Sequence, residues 1–413
     1  MNVKFNALLI LFFLMPRIPI EGAATIIYPV IGAILFFLIL ISMKNNKSNS
    51  LSSPFIATFF SFIILLILLS LSILVNNSGI SGLSSLARII FIVIVFLYGY
   101  FEVQNKDMSL FKEDVLKTIN FILVIELIVV ITQLFDIRLL HPIYSMNKTL
   151  PLGTLVRVAG TFGNPNLFGW MILQIGIIIL LLEKSGLKKI ANLLICLILV
   201  LLSGSRVTFM VFPIGIFLTL LLMQKRNLKF YFKKVPVLII MGIGLILILF
   251  KFLYKFQEYF PYMSQIFLVF DSRSLSSVNS FSLREMMWES ARFTFSETNN
   301  SFKYLLGIGP GSFSVLDNDY LFAFINFGSI FLIIQVYPYV YAIVNGLRKN
   351  TQNWIQIYLI QYAILALVIG YQSETISGWD YPVLFYYFFG ILLFQKNSYQ
   401  NTSKYKLNSH EFD

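Results

Sequence analysis

Apolar runs of about 15 to 22 residues alternate with short polar breaks along nearly the whole chain, and each run approaches the length that crosses a bilayer core. This pattern predicts about twelve membrane-spanning helices. They centre on residues 5–20, 26–42, 54–75, 84–101, 115–135, 166–182, 189–203, 207–223, 235–254, 320–342, 354–372 and 381–395. The predicted fold class is therefore an all-α polytopic membrane protein.

Composition supports this interpretation and excludes several kinds of chemistry. Of the 413 residues 58% are hydrophobic and 12% are charged, which is not typical of a soluble or a disordered protein. Cys196 is the single cysteine, and His141 and His410 are the only histidines. A disulfide framework or a Cys/His metal cluster cannot be built from these residues, so we expect no metal site and no cofactor.

The formal net charge of +12 is explained by topology. Most Lys and Arg residues lie in short loops on one side of the predicted spans, and the positive-inside rule then places both termini in the cytoplasm. The densest basic block, at 225–234, becomes a cytoplasmic anchor touching anionic lipid, and nucleic-acid binding is not expected. We divide the chain into spans one to nine (1–254, with an external loop at 136–165), a large extracytoplasmic loop (255–319), spans ten to twelve (320–395) and a cytoplasmic tail (396–413).

Two external connections are much longer than the others, and function is expected there. The first, 136–165, ends in Arg157-Val-Ala-Gly-Thr-Phe-Gly-Asn164-Pro-Asn166, directly before span six. Two glycines followed by Asn-Pro-Asn predict a tight turn into a helix capped by Asn164 or Asn166, beside which Arg157 is either incidental or functional. The connection between spans seven and eight is very short, and there Arg206 either reaches for lipid headgroups or faces an anion.

The large loop carries two further groups of polar residues. Arg284, Trp288 and Arg292 recur at helical spacing, beside Glu285 and Glu289, so they form either a cationic-aromatic face or a self-paired surface helix. The loop closes with the glycine turn at 307–313. It is followed by Asp317, Asn318, Asp319 and Tyr320 at the entrance of span ten, more polar groups than helix capping requires.

Arg157, Arg206, Arg284 and the acidic group are all predicted to lie at the external ends of spans. Arginine forks suit phosphate oxygens, and a lipid-linked diphosphate lies at this depth of a membrane. A neighbouring carboxylate could accept a proton from a sugar hydroxyl or orient a sugar. Glu126 in span five is a further intramembrane polar residue, either functional or paired with a neighbouring helix.

The segment RVAGTFGNPNLFG from Arg157 to Gly169, the SGSR that ends at Arg206, the LREMMW carrying Arg284, and GIGPGSF followed by DNDYL resemble a known family. In this order, and with a large late external loop, they are similar to the O-antigen polymerase and O-antigen ligase-like superfamily. The resemblance covers residues 157 to about 330, and the remaining chain matches only as membrane spans.

The resemblance implies a GT-C-like, metal-independent glycosyltransferase that acts on polyprenyl-diphosphate-linked oligosaccharides at the outer leaflet. Arg157, Arg206 and Arg284 would hold the diphosphate, with Asn164, Asn166, Trp288, Arg292, Asn318, Asp319 and Tyr320 as further substrate contacts. Ligase members carry a histidine where this chain has Asp317, which favours a polymerase; whether Asp317 is a base, positions a sugar or caps span ten stays open. A chain-length regulator and a flippase are the implied partners.

We therefore expect a repeat-unit polymerase of capsule, exopolysaccharide or O-antigen assembly in the cytoplasmic membrane. A ligase that moves a finished glycan to another acceptor is the first alternative. A polysaccharide flippase or a scaffold protein are alternatives from other classes, but a flippase needs charged residues along a central pathway rather than at one boundary.

Overall fold

A computed structural model describes residues 5–17, 23–44, 52–104, 106–140, 143–144, 157–224, 244, 251, 254–255, 279–313, 316–348, 353–373 and 375–408. Predicted span nine falls almost wholly outside these residues, as do the basic block at 225–234, the first part of the large loop, His141 and His410.

The described chain is helical, and within these residues no β-strand is present. The helices are α1 (Ala7–Leu14), α2 (Ala23–Lys44), α3 (Ser53–Asn76), α4 (Gly79–Glu102), α5 (Met108–Leu134), α6 (Pro165–Leu182), α7 (Gly186–Ser203), α8 (Arg206–Leu222), α9 (Asn279–Glu297), α10 (Lys303–Leu306), α11 (Asp319–Phe327), α12 (Ser329–Arg348), α13 (Trp354–Ile369) and α14 (Val383–Asn408). Short 3₁₀ turns lie at Arg138–Leu140 and Gly160–Phe162.

Six of the helices in the described part of the chain are long and apolar enough to cross a membrane: α3, α4, α5, α6, α7 and α12. Shorter apolar helical segments are present at Ile27–Met43, Arg206–Leu222, Trp354–Ile369 and Val383–Gln395. These helices mark a membrane-embedded, all-helical protein, as predicted. The number of twelve spans and the GT-C-like class stay predictions.

Two predicted spans differ from the helices observed. Helix α1 has only eight residues, because Met15 precedes Pro16 and takes an extended conformation that a proline favours in the residue before it. Predicted span ten is divided into α11 and α12 at Gly328, whose φ is +88°. A Cβ at that position would lie 2.1 Å from the carbonyl oxygen of Leu305, so the break depends on glycine.

Helix α6 lies at the centre of the bundle and is buried along nearly its whole length, against α5, α7, α8 and α13. Helix α7 lies at the edge, and Leu187, Ile190, Leu194 and Ile198 expose more than half of their surface along one face. This face is typical of a helix that contacts lipid. Since α6 is enclosed, the residues at its start are held in place from several sides.

Candidate functional site

A cavity of about 250 Å³ opens where α6 and α8 begin and α13 ends. Its walls come from five segments that are distant in sequence, and the side chains of Arg206, Arg284 and Asp317 meet there. The lining residues are Asn164, Asn166, Trp170, Gly204, Ser205, Arg206, Val207, Thr208, Arg284, Asp317, Ile369, Gln372, Ser373 and Tyr381. Five of the eleven residues singled out from the sequence are among them.

The first wall is the start of α6. Asn164 caps this helix by accepting hydrogen bonds from the backbone N–H groups of Asn166 and Leu167, at 2.9 and 3.3 Å. Arg157 donates from Nη2 to the Asn166 side-chain oxygen at 2.9 Å and from Nε to the Ser203 carbonyl at 3.0 Å. Arg157 therefore lies behind the lining residues and ties this segment to the end of α7.

Two polar residues of α5 form hydrogen bonds that hold the segment 157–166 in place. The Glu126 carboxylate accepts hydrogen bonds from the Thr161 N–H and hydroxyl groups, at 3.0 and 2.6 Å. The Gln133 side-chain oxygen accepts hydrogen bonds from the backbone N–H groups of Ala159 and Gly160, each at 3.0 Å, and its Nε2 group donates to the Gly160 carbonyl at 2.8 Å. Glu126 thus contacts this loop rather than a neighbouring helix. Gln133 was not singled out from the sequence, although it lies seven residues, or two helical turns, after Glu126 and therefore on the same face of α5.

The second wall is the start of α8. Gly204, with a φ of +62°, ends α7, and Ser205 is the only residue between it and Arg206. An added Cβ on Gly169 would lie 3.0 Å from the Ser203 hydroxyl, so this turn packs closely on α6. The free N–H groups at a helix start carry partial positive charge, which adds to that of the Arg206 guanidinium.

The third group is an ion pair between the large loop and the entrance of α11. Arg284 Nε lies 2.9 Å from Asp317 Oδ2, with the two side chains exposed by 18% and 40%. Asp317 adopts a φ of +48°, a left-handed conformation that is uncommon for a residue with a side chain. The backbone is thus held in an unfavourable geometry that directs this carboxylate to the cavity.

The neighbours of Asp317 are occupied by structural contacts. Asn318 caps α11 by accepting from the Leu321 N–H group at 3.0 Å, and the Tyr320 hydroxyl donates to the Leu367 carbonyl. Asp319 is buried and accepts hydrogen bonds from Ile376 N–H at 2.6 Å, Ser377 N–H at 2.9 Å and two hydroxyl groups of the same loop. Burial raises the pKa of Asp319 to about 6, although these hydrogen bonds oppose the rise.

The predicted cationic-aromatic face of α9 is divided in the structure. Trp288 is buried, donates from Nε1 to the Leu316 carbonyl at 2.6 Å, and packs on the ring of Tyr371. Arg292 is exposed. Helix α9 instead buries a face formed by Trp288, Ala291 and Phe295, and this face holds Arg284 next to Asp317.

A fourth wall, at 369–381, was missed in the sequence. Ile369, Gln372, Ser373 and Tyr381 line the cavity, although the connection between spans eleven and twelve was interpreted as a short link. Tyr381 is fixed through its carbonyl, which accepts from the Tyr362 hydroxyl. The polar run from Tyr371 to Asp380 was the available signal.

The glycine turn at 307–313 docks elsewhere. The Ser81 hydroxyl donates to the Pro310 carbonyl at 2.9 Å, and an added Cβ on Gly309 would lie 2.6 Å from the Ser78 hydroxyl. The turn therefore packs on the α3–α4 connection and supports α11 from outside the cavity.

Among the described residues, the cavity lining thus combines two guanidinium groups and two helix starts with one carboxylate, an arrangement suited to an anion with several oxygens. No protein-family model and no curated protein matches this chain. Within the described residues no group of His, Cys, Asp and Glu could hold a metal ion. The family resemblance therefore rests on the quoted motifs, of which Asn164, Asn166, Arg206, Arg284 and Asp317 meet at one cavity.

Proposed function

We propose that the protein is a polysaccharide repeat-unit polymerase, which transfers a growing glycan from polyprenyl diphosphate to a lipid-linked repeat unit. The observation that carries the proposal is the convergence of Arg206, Arg284 and Asp317 in one cavity at the end of a bundle of apolar helices. A lipid-linked diphosphate needs cations where the apolar region ends, and the transfer needs a group that can receive a proton.

The two arginines would bind the donor diphosphate. A guanidinium offers a planar fork that matches two phosphate oxygens, and Arg206 and Arg284 approach the cavity from different helices. During transfer the bond between the anomeric carbon and the diphosphate oxygen breaks, and negative charge grows on the departing diphosphate. Fixed cations and the helix starts would stabilise that charge most in the transition state.

Asp317 would serve the acceptor. In the structure its carboxylate pairs with Arg284, and a bound diphosphate would compete for the same guanidinium. Once displaced, the carboxylate can accept the proton of an acceptor hydroxyl while the hydroxyl oxygen bonds to the anomeric carbon from the side opposite the diphosphate. The diphosphate leaves with the electron pair of the broken bond. Because the hydroxyl attacks from the opposite side, the reaction inverts the anomeric centre.

We place the cavity on the outer face of the cytoplasmic membrane, with both termini in the cytoplasm, because the basic loops favour that orientation. A flippase that delivers repeat units and a regulator of chain length would be the functional partners.

The test is to incubate the purified protein with a polyprenyl-diphosphate-linked repeat unit and to separate the products on a gel. A ladder of increasing length without added nucleotide sugar supports the polymerase. A single transfer to an added acceptor would instead identify a ligase. Unchanged substrate that crosses a vesicle bilayer would identify a transporter.

A further inference from the structure

Arg17 lies behind the cavity, between two of its walls. Its Nη2 atom is 2.8 Å from the Asp380 carboxylate, and its Nη1 atom donates to the Phe162 carbonyl at 3.3 Å. The guanidinium carbon also lies 4.4 Å from the centroid of the Phe162 ring. One side chain therefore bonds the segment 157–166 and the segment 369–381 at the same time.

Both contacts are next to lining residues. Asp380 directly precedes Tyr381, and Phe162 is two residues before Asn164. The backbone of Arg17 is also held in place, because its backbone N–H group donates to the Ile143 carbonyl at 3.0 Å. Since Arg17 is not among the lining residues, any effect it has on chemistry passes through these two segments.

We propose that Arg17 is a positioning residue, which sets the separation of Asn164 and Asn166 from Tyr381 across the cavity. The inference rests on the proposed function, because it concerns the turnover of the same site. The Arg17 and Asp380 side chains are exposed by only 12% and 14%, so the ion pair lies away from solvent. A hydrophobic pair of similar volume can stabilise a fold as well as a buried ion pair, so stability alone does not require this contact.

The proposal predicts which kinetic constant changes. Arg206 belongs to α8 and Arg284 to α9, and neither helix is bonded by Arg17, so attraction of the diphosphate persists without it. Reacting groups displaced by about 1 Å can slow a reaction about 100-fold. We therefore expect kcat to fall about 10- to 100-fold with KM changed less than about threefold.

The decisive variant replaces both members of the pair, Arg17→Met with Asp380→Leu, so that neither charge of the ion pair is left without the other. Arg17→Lys is the second variant, because its single ammonium nitrogen keeps a charge for Asp380 but does not reproduce the two guanidinium nitrogens that bond Asp380 and the Phe162 carbonyl separately. Arg292→Met is the matched control, since Arg292 is exposed. Turnover is measured by chain elongation, and amide hydrogen exchange is measured for peptides covering 158–162 and 375–381.

We expect both Arg17 variants to lower kcat, with Arg17→Lys intermediate, and to speed amide exchange in both peptides, while Arg292→Met changes neither. Wild-type kcat and wild-type exchange in the double variant would overturn the positioning role and leave the proposed function intact. If the wild-type protein elongates nothing, the proposed function fails. The exchange comparison then still decides whether Arg17 holds the two segments together.

Discussion

Two segments rich in glycine and polar residues, 157–166 and 303–319, lie at the same end of the bundle but differ in what their side chains do. In the first, Glu126 and Gln133 of α5 satisfy the backbone, so Asn164 and Asn166 reach the cavity. In the second, the glycine turn packs on the α3–α4 connection, and of the residues described in that segment Asp317 lines the cavity.

The difference shows that many polar residues at a helix entrance do not by themselves make a site. Asp317 and Asp319 are two residues apart and carry the same side chain. Asp319 is enclosed by donors from the loop 375–377, whereas Asp317 is partly exposed beside Arg284. What distinguishes a candidate functional residue is an ionised side chain that the fold holds in place but leaves accessible.

Removal of the cavity cations is expected to have the largest effect. Arg206→Ala or Arg284→Ala should lower chain elongation at least about 100-fold, because a leaving diphosphate loses a fixed positive charge. Arg284→Lys should also be harmful, since an ammonium cannot reproduce the fork. Product ladders from equal amounts of folded protein measure the effect, and wild-type ladders from both alanine variants would contradict the assignment.

The glycine turn of the second segment should respond to substitution through folding rather than chemistry. Gly307 has a φ of +73°, and an added Cβ would lie 2.4 Å from the backbone of Asn326, so Gly307→Ala should destabilise the protein by about 3 kcal/mol or more. Thermal unfolding in detergent measures this. Gly186→Ala is the control, because a Cβ there meets no atom within 4 Å. Equal melting temperatures for the two variants would contradict the close docking.

Asp317→Asn should separate binding from turnover. Without the Asp317 carboxylate, Arg284 loses the partner that would compete with an anion for its guanidinium, so pyrophosphate should bind up to about tenfold more tightly. Elongation should fall, because an amide cannot accept the proton. Calorimetric titration measures the pyrophosphate affinity, and product ladders measure elongation. Weaker binding by Asp317→Asn would show that the carboxylate does not compete with pyrophosphate for Arg284.

The smallest effects are expected for a predicted site residue that does not line the cavity and for the removal of metal ions. Arg292→Ala should retain elongation within about twofold, since exposed side chains contribute little. Chelation by EDTA should also leave turnover unchanged, because the arginines supply the positive charge. Loss of activity in either experiment would require a site different from the cavity.

The sequence predicted the parts of this structure that depend on local pattern. Apolar run length located most of the helices, and Asn-Pro-Asn located the start of α6. It did not predict the break at Gly328, because hydropathy is continuous there and the break depends on the approach of Leu305. The sequence also did not predict that Tyr381 lines the cavity or that Arg17 lies behind it, because their contacts join segments more than 200 residues apart.

The most direct test of the proposed diphosphate site is a calorimetric titration of the purified protein with undecaprenyl diphosphate in detergent. The wild-type protein and Arg292→Ala should bind it with similar affinity, and the double variant Arg206→Ala with Arg284→Ala should lose binding by at least about 100-fold. Equal affinity in the wild-type protein and the double variant would show that the cavity is not the diphosphate site.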